Sequence, residues 1–447
     1  MTKETAATFD HESIRASDTV IARLRALHPN LIDLSTTRIE RLLDALGRPQ
    51  DRLPTVIHVA GTNGKGSTIA FLRAIFEAAG LTAHVYTSPH LVRYAERIRV
   101  AGKLITDEAL SALIDEVEAA NGGRPISFFE IGAALTFLAF SRTPADVTLV
   151  EVGLGGRFDA TNVFAAPALS VITPVDYDHL EFLGPELENI AWEKAGVIKP
   201  GRPVVVAQQR EEALTQIETE AHKCAAPMLL MGRDFDAFSE RGRLMVQMPD
   251  RLLDLAAPSL FGAHQFANAG LAVAAALTLN DPRITEDALS RGVASAIWPG
   301  RFQRLRTGPL GELATAKGTD LWLYGAHNPH GAVGLAQAIA ALSARDGRPV
   351  ALIVGMLARK NAAGFFAALV DCGAQILTVP FSGPTASDPN DLAALASECG
   401  LDATVAQSVE AALDQILATP TPPHVVICGS LHFVGDILAM SPQTWPS

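Results

Sequence analysis

The chain has 447 residues, of which 48% are hydrophobic and 19% charged, enough to form the cores of two or three domains and unlike a disordered or fibrous protein. Its net charge of −12 argues against a nucleic-acid surface, so any phosphate it recognises must be met by selected Lys, Arg and metal ions. The four cysteines, Cys224, Cys372, Cys399 and Cys428, form no Cys-x-x-Cys pair and are expected to be buried free thiols in a reducing compartment. Residues 1–18 are polar and mixed in charge, and no apolar run approaches bilayer length. A cytoplasmic protein with neither membrane nor nucleic-acid partner is expected.

The first informative element is a short apolar strand, 55–59, that runs into Gly61-Thr62-Asn63-Gly64-Lys65-Gly66-Ser67. Three glycines let backbone N–H groups converge on phosphate oxygens, Lys65 supplies a mobile charge, and the following helix adds the positive end of its dipole. That helix is predicted over 67–79, with Ile69, Leu72, Phe76 and Ala79 on one face and Gly80 at its C-terminal cap. The spacing departs from the common nucleotide loop, because Val59 stands at the first glycine position and Gly66 separates Lys65 from Ser67. A plain strand-to-helix turn is the competing reading.

Further strands are predicted at 83–86, 147–150 and 169–173, alternating with helical patterns, which implies a parallel sheet wrapped by helices with ligands beyond the strands' carboxyl ends. Residues 235–248 suggest a small antiparallel excursion. After Trp298-Pro299-Gly300-Arg301-Phe302 a second series begins, with strands at 321–323, 350–354, 375–379 and 425–428. The expected division is therefore 1–299 and 300–447. The run Thr419-Pro420-Thr421-Pro422-Pro423 reads as a stiff loop.

Glu151 follows the strand 147–150 and opens a glycine-rich loop that reaches Asp159. An acid at that position suits a magnesium site, and the alternative is a carboxylate satisfied by loop N–H groups. Two further motifs end elements nearby: Thr173-Pro174-Val175-Asp176-Tyr177-Asp178-His179 and Glu193-Lys194-Ala195-Gly196. On residue chemistry alone His179 reads as a hydrogen-bonding histidine and Lys194 as a solvated lysine. Phe128 and Phe129 are either core residues or a stacking face.

The loop Gly61-Thr62-Asn63-Gly64-Lys65-Gly66-Ser67 resembles the ATP loop of the Mur ligase superfamily, and within it the folylpolyglutamate synthase and dihydrofolate synthase branch. The motifs above match that family in order, together with Thr87-Ser88-Pro89-His90, Gly262-Ala263-His264-Gln265-Phe266-Ala267-Asn268, Trp298-Pro299-Gly300-Arg301 and Gly429-Ser430-Leu431. The resemblance spans about residues 20 to 436. It implies an N-terminal Mur-ligase-like P-loop ATPase domain with a mainly parallel sheet and a smaller C-terminal Rossmann-like α/β domain. It further implies that Ser88, Glu151 and His179 hold two magnesium ions and that Lys194 is carbamylated. Gly61 to Ser67, Asn268, Arg301 and Tyr324 would bind ATP, with Lys65, Lys194, Arg301 and His327 acting in catalysis. Ser127, Phe129 and Asp159 would take the pterin, and His327 and Ser430 the glutamate. His327 has a competing reading as a helix cap in the Asn328-Pro329 turn.

The implied reaction is attack of a pteroate or folate carboxylate on the γ-phosphoryl of ATP, followed by capture of the acyl phosphate by glutamate, in a monomer whose two domains close. Where the family usually carries Asp-Gly-Ala-His-Asn-Pro, this chain has Tyr324-Gly325-Ala326-His327-Asn328-Pro329, and Arg359-Lys360-Asn361 replaces Asp-Lys-Asp. The first change leads to the expectation that Tyr324→Asp lowers the KM for ATP. The second leaves the role of Lys360 open. Two alternatives stay open: an enzyme restricted to polyglutamylation or to another carboxylate, and a catalytically weakened ATP-binding regulator.

Overall fold

The computed structural model describes residues 35–382, 385–419 and 421–446. The polar segment 1–18 and Pro420 of the proline-rich loop lie outside the described residues. Two large sheets organise the chain.

The first sheet has eight strands: β1 (Val56–Ala60), β2 (Ala83–Tyr86), β3 (Ile98–Val100), β4 (Lys103–Leu104), β5 (Val147–Glu151), β6 (Leu169–Ile172), β7 (Val204–Val206) and β8 (Met228–Leu230). Their order is β4-β3-β2-β5-β1-β6-β7-β8, parallel throughout except for β3 and β4 at one edge. β1 lies centrally between β5 and β6, and all five of its residues are buried. A strand covered on both faces needs a continuous apolar run, which Val56 to Ala60 supplies apart from His58.

The helix after β1 runs Lys65–Ala78, starting two residues before the predicted position. It was expected to bury one face, yet Gly66 to Leu72 and Ala74 to Phe76 are all buried. The helices His264–Thr278 and Glu286–Ser295 pack on its far side, so the apolar surface extends around the cylinder. Gly80 lies just past its end at φ +76°, the left-handed conformation of a helix C-terminal cap.

The antiparallel excursion is a three-stranded sheet, β9 (Asp236–Glu240), β10 (Arg243–Gln247) and β11 (Leu252–Leu255), with Ala237 seated on Gly270 of the helix His264–Thr278. The second large sheet comprises β12 (Arg301–Leu305), β13 (Leu321–Tyr324), β14 (Val350–Val354), β15 (Gln375–Thr378), β16 (Ala403–Val405) and β17 (His424–Cys428), in the order β12-β13-β17-β14-β15-β16. β12 and β16, which sequence reading did not find, are its edges. β12 runs antiparallel to β13, and it carries an irregularity between Arg301 and Gln303 with Phe302 at φ +55°. An extra residue of this kind bends a strand and re-aims its side chains.

The expectation for the cysteines is corrected. All four thiols are free, but only Cys428 is buried, while Cys224, Cys372 and Cys399 are partly exposed. The latter three sit near helix ends or in short turns, where the packing layer thins.

Candidate active site

The phosphate loop joins the carboxyl end of β1 to the N-terminus of the helix Lys65–Ala78. Thr62 N donates to Pro174 O (2.9 Å), and the Thr62 hydroxyl both donates to Asp176 O (2.8 Å) and accepts from Asp176 N (3.0 Å). These bonds fix the loop against the segment that follows β6. Gly61, at φ +139°, lies so close to Thr173 that an added Cβ would sit 2.9 Å from the Thr173 carbonyl oxygen. A Cβ on Gly64 would lie 2.6 Å from Asn268 Oδ1, and one on Gly66 would meet the Trp298 ring at 2.5 Å. Ser67 is buried in the first turn of the helix.

Two lysines converge on one carbonyl. Lys65 Nζ donates to Gly61 O (3.0 Å) and Thr62 O (3.2 Å), and Lys194 Nζ donates to the same Gly61 O (3.0 Å). Lys194, on the helix Leu187–Ala195, is only 6% exposed. Burial, reinforced by the charge of Lys65, pulls its ammonium down to about 7. Burial lowers Lys65 as well, against the opposing pull of Glu151 and Asp178. Like charges this close are relieved by an anion between them or by loss of a proton.

Glu151 ends β5 beside the loop, paired with Val59. It is buried, and it accepts a hydrogen bond from Ser88 N at 3.3 Å. Burial pushes its carboxyl above the ordinary range, with Lys65 opposing. A thinly satisfied buried carboxylate is the donor expected of a divalent-cation site rather than of a loop staple. His179, at φ +54°, starts the short helix Leu180–Leu183. Burial pulls its imidazole down to about 3, so a ring nitrogen keeps its lone pair at neutral pH. A buried carboxylate and a neutral imidazole are each suited by their chemistry to a divalent cation, and Ser88 is held beside Glu151 by its backbone N–H. Among the described residues no three His, Cys, Asp or Glu side chains are spaced to hold a metal by themselves.

Across from these groups lie the carboxyl ends of β13, β14 and β17. Asp178 joins the two sides: its carboxylate accepts from Lys360 Nζ (2.8 Å) and Asn328 Nδ2 (3.3 Å) and lies 3.5 Å from His327 Nε2. Burial alone would raise its carboxyl, but His327, His179 and Lys360 hold it far below the usual range. The amides of Asn63 and Asn328 also exchange hydrogen bonds, each 3.3 Å. Sequence reading passed over Asp178, Lys360 and Asn328 as site residues. The signal was the acid immediately before His179 and the lone Lys360 between two replaced acids.

His327 Nδ1 donates to Gly325 O (3.0 Å). The helix cap in this turn is Asn328, whose side chain accepts from Gly331 N (2.8 Å), so the capping alternative for His327 is corrected. The Arg301 side chain makes no hydrogen bond or salt bridge among the described residues, and burial lowers it while Tyr324 and Glu151 oppose. Asn268 is buried and donates to Gln265 Oε1 (3.1 Å). Tyr324 is buried against Phe302 (5.2 Å) and His264 (6.2 Å), and burial pushes its phenol up to about 12. Ser430 caps the helix Leu431–Ala439 by accepting from His432 N (3.1 Å).

The three residues assigned to the pterin carry structural duties. Ser127 and Glu130 form a reciprocal cap: Glu130 N donates to Ser127 Oγ (3.2 Å) and Ser127 N to Glu130 Oε2 (2.7 Å). Asp159 accepts from Leu154 N (2.8 Å), Thr161 N (2.9 Å) and the Thr161 hydroxyl (2.5 Å). Phe128 is buried in the core, and Phe129 packs against the same core, partly exposed, directly beneath Gly153, where any side chain would collide with its ring.

Residues 59–276 match the Mur ligase middle domain, and residues 311–440 match the dihydrofolate synthetase C-terminal domain. The dihydrofolate synthase/folylpolyglutamate synthase of Escherichia coli K12 is 34% identical over 94% of this chain and 94% of its own length. The chain belongs to the dihydrofolate synthase/folylpolyglutamate synthase family. Solved structures of its members align over most of this chain. A structure of E. coli FolC in complex with DHPP and ADP aligns with a TM-score of 0.84 at 32% identity, covering 94% of this chain and 96% of that one. The Yersinia pestis folylpolyglutamate synthase/dihydrofolate synthase complexed with AMPPNP and Mn ion aligns at 0.83 and 32%, covering 94% and 97%.

Proposed function

We infer that this chain is an ATP-dependent ligase that joins L-glutamate in amide linkage to dihydropteroate and to folates. The observation that carries this reading is the pairing of Lys65 and Lys194 on the Gly61 carbonyl, opposite Glu151 and within a cleft whose far wall holds an unpaired Arg301. Three cations and a buried carboxylate around a glycine-rich loop are what phosphoryl transfer to an oxygen nucleophile requires.

Gly61 to Ser67 cradle the triphosphate with backbone N–H groups, and Asn268 orients the base. Lys65 and Arg301 offset charge on the transferring phosphoryl. Ser88, Glu151 and His179 would hold Mg²⁺, two ions in this reading, which supplies Lewis-acid neutralisation of phosphate oxygens when bound. An oxygen of the acceptor carboxylate bonds to the γ-phosphorus as the bond to the ADP oxygen breaks, giving an acyl phosphate. The glutamate amine then attacks the acyl carbon and phosphate leaves. His327 and Ser430, at the ends of β13 and β17, lie on the glutamate side, and Phe129 with Ser127 and Asp159 forms the pterin side. Lys194, part-neutral near pH 7, can react with CO₂ to become a carbamate, which would reverse its charge beside the cations. Tyr324 lines the nucleotide side in place of the family's usual acid.

The boundary between the two catalytic units is placed near 300, where β12 opens the second sheet. The protein is read as a cytoplasmic monomer. Among the described residues no helix is long and apolar enough to cross a membrane.

The test is ADP release with Mg²⁺, ATP and L-glutamate, using 7,8-dihydropteroate or tetrahydrofolate as acceptor and identifying products by mass. Addition of one glutamate to dihydropteroate and extension of tetrahydrofolate are both expected. Activity with tetrahydrofolate alone would leave a polyglutamylating enzyme, and silence with both would overturn the reading.

A further inference from the structure

The amino ends of the parallel strands in the second sheet, opposite the cleft, carry a separate charged cluster. Arg304 on β12, Arg306 just beyond it, Arg345 at the end of the helix Pro329–Asp346 and Arg348 before β14 line a cavity of about 580 Å³. Asp320, only 5% exposed, lies at its base just before β13. Its two oxygens accept from Arg304 Nη2 and, at 2.7 Å, from Arg345 Nη2. Arg348 pairs with Asp346 (3.0 Å) and donates Nη1 to Gly318 O (2.9 Å). Arg304 also lies over the Trp322 ring at 6.0 Å.

The acid is buried while the arginines keep part of their surface: the Arg304 and Arg345 side chains are 37% and 43% exposed and Arg348 23%. Arg304 and Arg345 are therefore already oriented by Asp320 through Nη2 and keep their other N–H groups for the cavity, which reduces the ordering that a ligand must impose, whereas Arg348 is engaged on both sides by Asp346 and the Gly318 carbonyl. Arg306 is exposed and has no ion pair among the described residues. Four guanidiniums meet two carboxylates, Asp320 and Asp346, in a chain whose net charge is −12. A network that served folding alone would not need the unpaired fourth cation.

We propose that this cavity binds a small multivalent oxyanion, a ligand bearing two or more phosphate or carboxylate groups. Guanidinium forks match both groups bidentately, and the volume suits a metabolite-sized ligand. The site is separate from the catalytic cleft, so it stands or falls independently of the ligase reading.

The test is isothermal titration with tripolyphosphate, for a phosphorylated ligand, and with citrate, for a polycarboxylate. The protein carries Lys65→Ala and Arg301→Ala, which strip cations from the phosphate loop. One site is expected for at least one probe. Adding Arg306→Glu should weaken it at least tenfold, whereas Arg251→Glu, the same charge change at an exposed position elsewhere, should change it less than twofold. In the otherwise wild-type chain, Arg306→Glu should remove one site from the total, a readout that survives if the double variant folds poorly. Absence of binding by both probes, or equal weakening by Arg251→Glu, would overturn the proposal.

Discussion

Lys194 is placed where its cationic form is unfavourable: it is buried, it shares an acceptor with Lys65, and its value falls from 10.5 to about 7. The unfolded chain therefore binds more protons than the folded one between pH 7 and about 10, so stability gained from this residue rises with pH across that window. Its destabilising contribution is fully present below pH 7. Lys194→Met is expected to raise the Tm most below pH 7, with the gain shrinking toward pH 10, and a pH-independent difference in paired melts would count against this. The same variant should lower kcat by ~10²-fold or more, as for loss of an electrostatic group at the reacting centre. Tyr324 is a second case: its phenol is buried, and Arg301 is its register partner on β12. Tyr324→Asp should lower the KM for ATP while Tyr324→Phe leaves it near the wild-type value; steady-state kinetics on the pair decides, and an unchanged or raised KM for Tyr324→Asp would count against the expectation.

Among the elements, the β1–loop–helix unit is the most legible from sequence, because glycines, lysine and a strand apolar except for His58 coincide within a dozen residues. Gly61 shows why glycine is needed there. At φ +139° and with an added Cβ 2.9 Å from the Thr173 carbonyl, Gly61→Ala should cost ~1–3 kcal/mol and lower the Tm, and a melt unchanged from wild type would contradict that close approach. The antiparallel sheet was visible in its alternating residues. β12 was hidden because Phe302 interrupts its alternation with a bulge, and β16, only three residues long, gives too short a pattern to read. The position of Glu151 at the end of β5 was readable from sequence. The Asp178–Lys360 and Asn63–Asn328 contacts were not, since they join residues 182 and 265 positions apart and depend on how the two sheets face each other.

The whole molecule brings the carboxyl ends of its two large sheets together through polar contacts centred on Asp178 and Asn63, flanked by Leu91 and Phe261 of the first unit packed on the second. Relative motion of the two units would therefore break the polar contacts and slide or repack these apolar ones. Mg²⁺ with a nonhydrolysable ATP analogue and dihydropteroate should reduce the radius of gyration, and Lys360→Met, which removes one crossing ion pair, should enlarge it in the ligand-free protein. Identical scattering in all three states would remove closure from the account.

The central claim is that the cleft transfers the γ-phosphoryl of ATP to a carboxylate oxygen. Dihydropteroate labelled with ¹⁸O in its carboxylate, turned over with Mg²⁺, ATP and L-glutamate, tests it directly. The account predicts one ¹⁸O in the released phosphate, because the acceptor oxygen leaves with phosphorus when the amide forms. Unlabelled phosphate accompanying labelled product would contradict it.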